Sequence, residues 1–182
     1  LMWTMVFAPY QKNRIKTFLN PLADIHGSGY NAFQSTIAVG SGQVLGKGLG
    51  FGTQSRLKFL PEPQSDFIYA AFSEEWGFVG SITILFLYCL IIWRVLLTAS
   101  YGASNFEILF GMGIAIFFMS HILINVGMNL GIMPVTGIPL PFMSYGGSHL
   151  INEFAALGIL MSMRRYGRSV HRDDTKHEFL GI

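Results

Sequence analysis

Cysteine and charged side chains are both scarce in this sequence. A single cysteine, Cys89, occurs in 182 residues, so no disulfide can form within the chain. Charged residues account for 12% of the sequence and hydrophobic residues for 51%, a balance that excludes an ordinary soluble domain. We therefore expect the lipid bilayer to be the main solvent of this chain.

Several function classes lack their signatures here. No His-Glu-x-x-His pattern, cysteine pair or calcium-binding loop is present, and nothing indicates nucleic-acid recognition. The glycine-rich residues 40–52 fit neither nucleotide fingerprint, because the first glycine and the Ser or Thr that should flank Lys47 are missing. Ser55-Arg-Leu-Lys58 matches one motif of penicillin-binding enzymes without its two companions, which we attribute to chance. We expect no cofactor and no nucleic-acid partner, and the sequence does not decide whether a divalent cation assists.

The first residues do not have the pattern of a signal peptide. Residues 1–9 are apolar but far shorter than the roughly 20 residues that cross a hydrocarbon core. Neither a basic segment nor a small-residue cleavage site accompanies them. We expect these residues to be the end of a helix that already crosses the membrane.

Long apolar runs, by contrast, are abundant. Residues 67–98 contain an uncharged stretch from Trp76 to Trp93, close to the length that a spanning helix needs. Residues 106–129 form a second run, and residues 148–163 form a shorter third. We interpret all three as transmembrane helices, so the predicted fold class is an all-α polytopic membrane protein.

The segments between these runs differ in character. Residues 10–66 are polar and interrupted by prolines and glycines, which indicates a long loop outside the membrane that contains short interfacial helices. Residues 99–105 form a tight turn, and residues 164–182 form a polar tail. Residues 130–147 stay apolar but contain three prolines, so we expect a re-entrant or cleft-lining loop.

The distribution of lysine and arginine leaves the orientation open. The long loop carries six of these residues and the opposite side also carries six, so the positive-inside rule does not decide between them. The dense basic cluster directly after the last helix favours a cytoplasmic tail. The long loop would then lie outside the cell, where its basic residues could bind an anionic substrate.

Asp66 is the first candidate for chemistry. It ends the long loop and opens a helix, which places its carboxylate at the membrane surface. One interpretation is helix capping, because free amides and the dipole at a helix start favour a carboxylate. The other is a general base that accepts a proton from an attacking hydroxyl, and the two roles can coexist.

Other carboxylates lie deeper in the predicted spans. For Glu74 and Glu75 we favour a buried ion pair with a basic residue from a helix outside this chain over direct catalysis. The same interpretation applies to Asn152 and Glu153 in the last predicted helix. His149 lies one helical turn before Glu153, and these two residues could form a metal pair. We favour a packed, hydrogen-bonded histidine there instead, and we assign no metal ligand.

Several ordered segments together resemble the SEDS family of shape, elongation, division and sporulation proteins. They include Tyr10-Gln-Lys-Asn-Arg14, Phe59-Leu-Pro-Glu62, Asp66-Phe-Ile-Tyr69, Glu74-Glu75, Pro134-Val-Thr-Gly-Ile-Pro-Leu-Pro-Phe142 and Ser144-Tyr-Gly-Gly-Ser148. The resemblance covers nearly the whole chain. Within the family, Asn125-Val-Gly-Met128 and the segment from Pro134 to Phe142 resemble elongation members more than division members.

The resemblance implies a peptidoglycan glycosyltransferase that polymerises lipid II during cell elongation and rod-shape maintenance. It implies a fold of about ten membrane spans, of which this chain would hold the last part, in the bacterial cytoplasmic membrane with the active site on its outer face. Lipid II, a class B penicillin-binding protein and membrane lipids are the implied partners. We expect the chain alone to be inactive, because a cleft built from both halves would lose a wall.

The resemblance also suggests roles for individual residues. Asp66 matches the essential loop aspartate, which would deprotonate the acceptor sugar's 4-hydroxyl as it attacks the anomeric carbon, with inversion and loss of undecaprenyl pyrophosphate. Basic groups would stabilise that leaving group, although contact with lipid headgroups is an equally good interpretation for each. The substrate-binding candidates are Lys47, Arg56, Lys58, Glu62, Ser144 and Ser148, and the structural candidates are Glu74, Glu75 and Glu153.

Two other functions remain open from the sequence. Polytopic helices with a proline-broken loop and intramembrane carboxylates also describe a transporter or flippase of lipid-linked precursors. A noncatalytic scaffold for a penicillin-binding protein is the other alternative, and it would tolerate Asp66→Asn.

Overall fold

The structure is a computed structural model that describes residues 9–19, 27–57, 59–60, 64–102 and 104–174. All regular elements in these residues are helices, in agreement with the predicted all-α class. In chain order they are α1 (Pro9–Leu19), α2 (Ser28–Ser41), α3 (Thr53–Arg56), α4 (Ile68–Ser100), α5 (Asn105–Asn129) and α6 (Gly147–Asp174).

The predicted long loop contains three of the six helices. α1, α2 and α3 all lie between residues 9 and 56. α1 begins at Pro9, a residue that suits the first helical turn because it has no amide hydrogen to leave unpaired there. The prediction that residues 1–9 end a spanning helix falls on residues 1–8, which lie outside the described part of the chain.

Two of the described helices, α4 and α5, are long and apolar enough to cross a membrane. α4 corresponds to the predicted span 67–98 and α5 to the predicted span 106–129. α6 does not meet the same measure of length and composition within the described residues, and it continues to Asp174, beyond the predicted end at residue 163. Its role as a third span therefore stays a prediction.

The sequence did not predict that α4 is broken. Gly77 adopts φ 67° and ψ −163° inside the helix, a left-handed conformation that glycine reaches without the steric cost a side chain would impose. In a continuous helix the carbonyls of Glu74 and Glu75 would accept hydrogen bonds from amides four residues later. Here they accept from the amides of Lys47 and Gly48, each at 3.0 Å. The loop segment thus replaces two hydrogen bonds of the helix.

The chain divides into two compact units. The first unit comprises residues 1–85 and 121–145 and the second comprises residues 86–120 and 146–182. The core cluster of the first unit consists of buried Ala38, Leu60, Phe67 and Ala70, against which Val39 and Val135 pack. This cluster joins α2, the start of α4 and the proline-containing loop after α5, and it positions the turn that precedes α4.

The second unit packs small residues of α4 and α5 against each other. A Cβ atom at Gly111 would lie 2.5 Å from the Ala99 Cβ and 3.1 Å from the Leu160 Cδ1. Such close approach between helix backbones is typical of membrane helix packing, where small residues make the contact. Ala99 and Leu160 are accordingly buried.

Candidate active site around Asp66

Asp66 lies in the turn of residues 64–67 immediately before α4. Phe67 and Ala70 are buried in the core of the first unit, which anchors the turn, whereas Asp66 itself is half-buried. The packing of the apolar neighbours thus sets where the carboxylate stands. Asp66 therefore occupies the position at the start of a helix that the sequence predicted.

Two buried asparagines of α5 hold the backbone of Asp66. The side-chain amide of Asn125 donates to the Asp66 carbonyl at 3.1 Å, and that of Asn129 donates to the same oxygen at 3.2 Å. Asn125 also donates to the carbonyl of Ile138 at 2.7 Å. Both asparagines are completely buried, so these bonds form in surroundings where a lost partner is costly.

The loop of residues 130–146 is non-helical, as the sequence predicted, and it is tied to the same turn. The hydroxyl of Ser144 donates to the carbonyl of Ser65 at 2.7 Å and accepts from the amide of Leu140 at 2.7 Å. The amide of Tyr145 donates to the carbonyl of Gln64 at 2.8 Å. These bonds satisfy backbone groups that apolar surroundings could not satisfy.

Gly137 brings this loop close to the Asp66 carboxylate. It has φ +74°, and a Cβ atom there would lie 3.2 Å from Oδ2 of Asp66. A side chain at position 137 would strain the backbone and press on the carboxylate. The absence of a side chain leaves room beside Asp66, where a hydroxyl that gives up its proton could approach.

Arg14 extends the site toward α1. Its guanidinium donates to the carbonyl of Thr136 at 2.8 Å, one residue before Gly137. Near this contact, α1, α2 and residues 130–135 enclose a largely apolar cavity of about 190 Å³ with Arg14 in its lining. Arg14 was not predicted as a site residue, although it ends one of the segments that carry the family resemblance.

Asn129 is a second site residue that the sequence did not predict. It lies one turn after Asn125 in α5, and its amide also donates to the Asn125 carbonyl at 2.8 Å. His121, Asn125 and Asn129 are spaced four residues apart, so they share one face of the helix. That polar stripe in an apolar run could have identified Asn129 from the sequence.

A second polar cluster surrounds Glu74. This completely buried carboxylate accepts from the Lys47 ammonium at 2.7 Å and from the Thr53 hydroxyl at 2.9 Å. The amide of Gln54 donates to both of its oxygens at 3.1 Å. The predicted ion pair is therefore present, but the prediction that its basic partner comes from outside this chain was wrong, because Lys47 belongs to the chain's own glycine-rich loop.

Glu75 interacts with the same loop. Its side chain accepts a hydrogen bond of 3.2 Å from the amide of Gly50, and its backbone carbonyl accepts from Gly48. Gly46 lies so close that an added Cβ atom would collide with the Glu75 carbonyl. Both acidic residues thus bind loop atoms, at the point where α4 is broken.

The remaining predicted site residues are placed as follows. Arg56 is exposed at the end of α3, and Ser148 is exposed in the first turn of α6. Ser144 is buried and bonded to backbone atoms. Lys58 and Glu62 lie outside the described residues. The predicted substrate contacts of these residues, and those of Lys47, stay predictions.

Glu153 lies in the second unit, where it pairs with a histidine. Nδ1 of His149 lies 2.8 Å from Oε1 of Glu153, which is 2% exposed. The His149 ring also stacks near Phe117, with 6.4 Å between ring centroids, beside a cavity of about 400 Å³. Among the described residues, no group of three or more His, Cys, Asp or Glu side chains is arranged to hold a metal ion.

The helices and the carboxylate site define an all-α polytopic membrane protein. Residues 1–169 match the family described as cell cycle protein, which groups FtsW, RodA and SpoVE. The chain belongs to this family, which is the SEDS family that the sequence motifs resemble.

Individual relatives agree with this assignment. The chain is 41% identical over 172 residues to the peptidoglycan glycosyltransferase MrdB of Escherichia coli (strain K12), covering 94% of this chain and 46% of MrdB. It is 45% identical over 163 residues to stage V sporulation protein E of Bacillus subtilis (strain 168), covering 88% of this chain and 44% of that protein. The chain thus spans about half the length of the curated relatives it matches.

A solved structure shares the fold. A chain from a peptidoglycan synthase complex that coordinates polymerization and crosslinking superposes with a TM-score of 0.68 at 32% identity. The match covers 90% of this chain and 44% of that chain. The helical architecture described above is therefore that of a family member whose structure is known.

Proposed function

We propose that the protein carrying this chain is a peptidoglycan glycosyltransferase that polymerises lipid II, with Asp66 as its general base. Asp66 would take the proton of the acceptor sugar's 4-hydroxyl as that oxygen attacks the anomeric carbon of the growing chain. Undecaprenyl pyrophosphate would leave with inversion at that carbon. Support for glycosyl transfer comes from a relative at 41% identity that is named a peptidoglycan glycosyltransferase and from a structural relative at 32% identity in a peptidoglycan synthase complex.

The observation that carries the proposal is the way Asp66 is held. Asn125 and Asn129 bind its backbone carbonyl, and Gly137 leaves space beside its carboxylate. A general base must keep a fixed distance from the proton it accepts, and a clamped backbone provides that fixed position.

Substrate and partner assignments follow the same proposal. Arg56, exposed at the end of α3, is our candidate for contact with the pyrophosphate. The proposed partner is a class B penicillin-binding protein. We place the site on the outer face of the bacterial cytoplasmic membrane and assign the protein to cell elongation. The relative named for glycosyl transfer and the one named for sporulation match at similar identities, 41% and 45%. The choice of elongation therefore rests on the resemblance of the sequence motifs to elongation members.

The test uses the full-length protein purified with its penicillin-binding partner. Wild type and Asp66→Asn are compared for glycan strands formed from lipid II in detergent, and we expect the variant to lose about 100-fold or more of the rate, the usual contribution of a general base. Glu107→Gln is the matched control, because it removes a carboxylate from the first turn of α5 in the other unit.

Each outcome decides between the candidate functions. Full activity of Asp66→Asn with normal folding would remove Asp66 from the reaction. An absence of polymer from both proteins, together with movement of lipid II across vesicle membranes, would favour a flippase, because transport needs a closed vesicle and polymerisation does not. Binding of the partner without either activity would favour a scaffold.

A further inference from the structure

The glycine-rich loop crosses α4 at its break and binds both sides of it. The carbonyls before Gly77 accept from loop amides, as described above, and the amides after it donate to loop carbonyls. The amide of Phe78 donates to Gln43 at 2.8 Å, and that of Val79 donates to Val44 at 3.1 Å. Four backbone bonds therefore join the loop to the helix at the point where the helix has lost its own.

The loop is fixed there by close backbone contact as well. A Cβ atom at Gly42 would collide with the carbonyl of Ser73, and one at Gly77 would collide with the amide of Gly46. No larger residue fits at these contacts without moving the loop or the helix. The glycines of this loop, which fit neither nucleotide fingerprint, thus have another use in this structure, namely insertion into a broken helix.

The ion pair between Lys47 and Glu74 is the polar centre of this junction. The ammonium of Lys47 lies 2.7 Å from Glu74 and 2.8 Å from the Thr53 hydroxyl, so it links the loop, α4 and α3. Glu74 is completely buried, and a buried carboxylate that loses its partner is strongly destabilising. The position of the loop therefore depends on the pair.

The segment between the junction and Asp66 is short and is held at both ends. We call residues 64–76 the Asp66 arm. At one end Asn125, Asn129 and Ser144 bind backbone atoms of the arm, and at the other end the glycine-rich loop binds it beside Gly77. The break at Gly77 replaces two of the helical hydrogen bonds that would tie the arm to the rest of α4, while the Ser81 hydroxyl still donates to the Ser73 hydroxyl at 2.8 Å.

From these contacts we infer that Lys47 and Glu74 are positioning residues that set the placement of Asp66 through the Asp66 arm. The inference deepens the proposed function and rests on it for its activity readout. Lys47 then acts on the reaction through Glu74 and not by touching the substrate. A displacement of about 1 Å at a reacting group can cost on the order of 100-fold in rate, so a small movement of the arm is sufficient.

The experiment is a double-mutant cycle in the full-length protein with its partner. The variants are Lys47→Met, Glu74→Gln and the two combined, with rates expressed per folded molecule. We expect Lys47→Met to lower kcat by about 10-fold to 100-fold with little change in the KM for lipid II. Adding Glu74→Gln should restore much of that loss, because the buried charge is then gone while the glutamine carbonyl still accepts hydrogen bonds.

Hydrogen exchange provides a readout that does not need activity. In Lys47→Met the amides of Phe78 and Val79 should exchange about tenfold faster than in wild type, while amides within α5 stay unchanged. Lys16→Met, an exposed lysine in the last turn of α1, is the matched control and should alter neither measurement. If the wild type makes no polymer, the proposed function fails, and exchange alone still decides whether the pair holds the junction.

Three results would overturn the inference. One is a fall in kcat in Lys47→Met that adding Glu74→Gln does not relieve, while hydrogen exchange at Phe78 and Val79 stays as in wild type. Lys47 would then contact substrate. Another is a rise in the KM of Lys47→Met for lipid II without a fall in its kcat. If Lys47→Met does not fold, Glu74→Gln is compared with the double variant, and a large further loss of kcat in the double variant contradicts the inference.

Discussion

The side-chain amide of Asn129 donates a hydrogen bond of 3.2 Å to the backbone carbonyl of Asp66, although 63 positions separate the two residues. The bond holds the backbone from which the carboxylate projects. Asn125 adds a second bond to the same oxygen. The geometry of the candidate base is therefore set by α5 as much as by the turn that contains Asp66.

Replacing Asn125 should destabilise the first unit and disturb Asp66. Asn125→Leu removes the donor to the Ile138 carbonyl and one of the two donors to the Asp66 carbonyl in a buried site, and leaving a buried acceptor unpaired costs about 1–3 kcal/mol. We expect a lower thermal midpoint in detergent and a lower kcat. Asn152→Leu, the same change at an exposed position of α6, is the control, and equal midpoints for the two variants would contradict this role for Asn125.

A side chain at position 137 should impair catalysis more than folding. Gly137→Ala places a Cβ atom 3.2 Å from Oδ2 of Asp66 at a residue with φ +74°. We expect a fall in kcat of about 10-fold or more and a stability loss of at least about 1 kcal/mol. Gly147→Ala, where an added Cβ meets nothing within 4 Å, should behave like wild type in thermal unfolding. Wild-type kcat in Gly137→Ala would mean that the loop yields without moving Asp66.

The glycine-rich loop should not tolerate a methyl group at position 46. Gly46 has φ +81° and lies against the backbone of Glu75 and Gly77, so Gly46→Ala combines backbone strain with a collision. We expect a loss of well over about 1 kcal/mol. Gly40→Ala has open space around the added Cβ and lies within α2, where alanine is the better helix former. Thermal unfolding of both variants gives the comparison, and a Gly46→Ala protein as stable as Gly40→Ala would refute the insertion.

The hydroxyl of Ser144 should matter through the backbone groups it joins. Ser144→Ala leaves the Ser65 carbonyl and the Leu140 amide without their 2.7 Å partner, which costs about 1–3 kcal/mol in a buried site. Ser120→Ala is the matched control, because the Ser120 hydroxyl bonds a carbonyl of its own helix at Phe117. Hydrogen exchange at Leu140 measures the effect locally, and unchanged protection there would show that Ser144 is not needed to hold the loop.

Local features of the sequence predicted much of the architecture. The apolar runs at 67–98 and 106–129 correspond to α4 and α5 within two residues at each end, because a helix that crosses the hydrocarbon core needs a long, predominantly apolar run. The three prolines after α5 predicted the non-helical loop, since proline removes a donor and restricts the backbone. The position of Asp66 at the start of a helix also followed from local sequence.

The tertiary structure alone decided which polar groups meet. The break at Gly77 exists because a loop about 30 residues earlier in the chain supplies the missing hydrogen bonds, and nothing within the apolar run itself signals it. The ammonium of Lys47 lies 2.7 Å from Glu74, 27 positions away, a pairing that the sequence did not predict. The composition and spacing of residues determine which segments form helices, because helix propensity and hydrophobic periodicity act over short stretches of the chain. The partners of a buried charge depend instead on how distant segments pack.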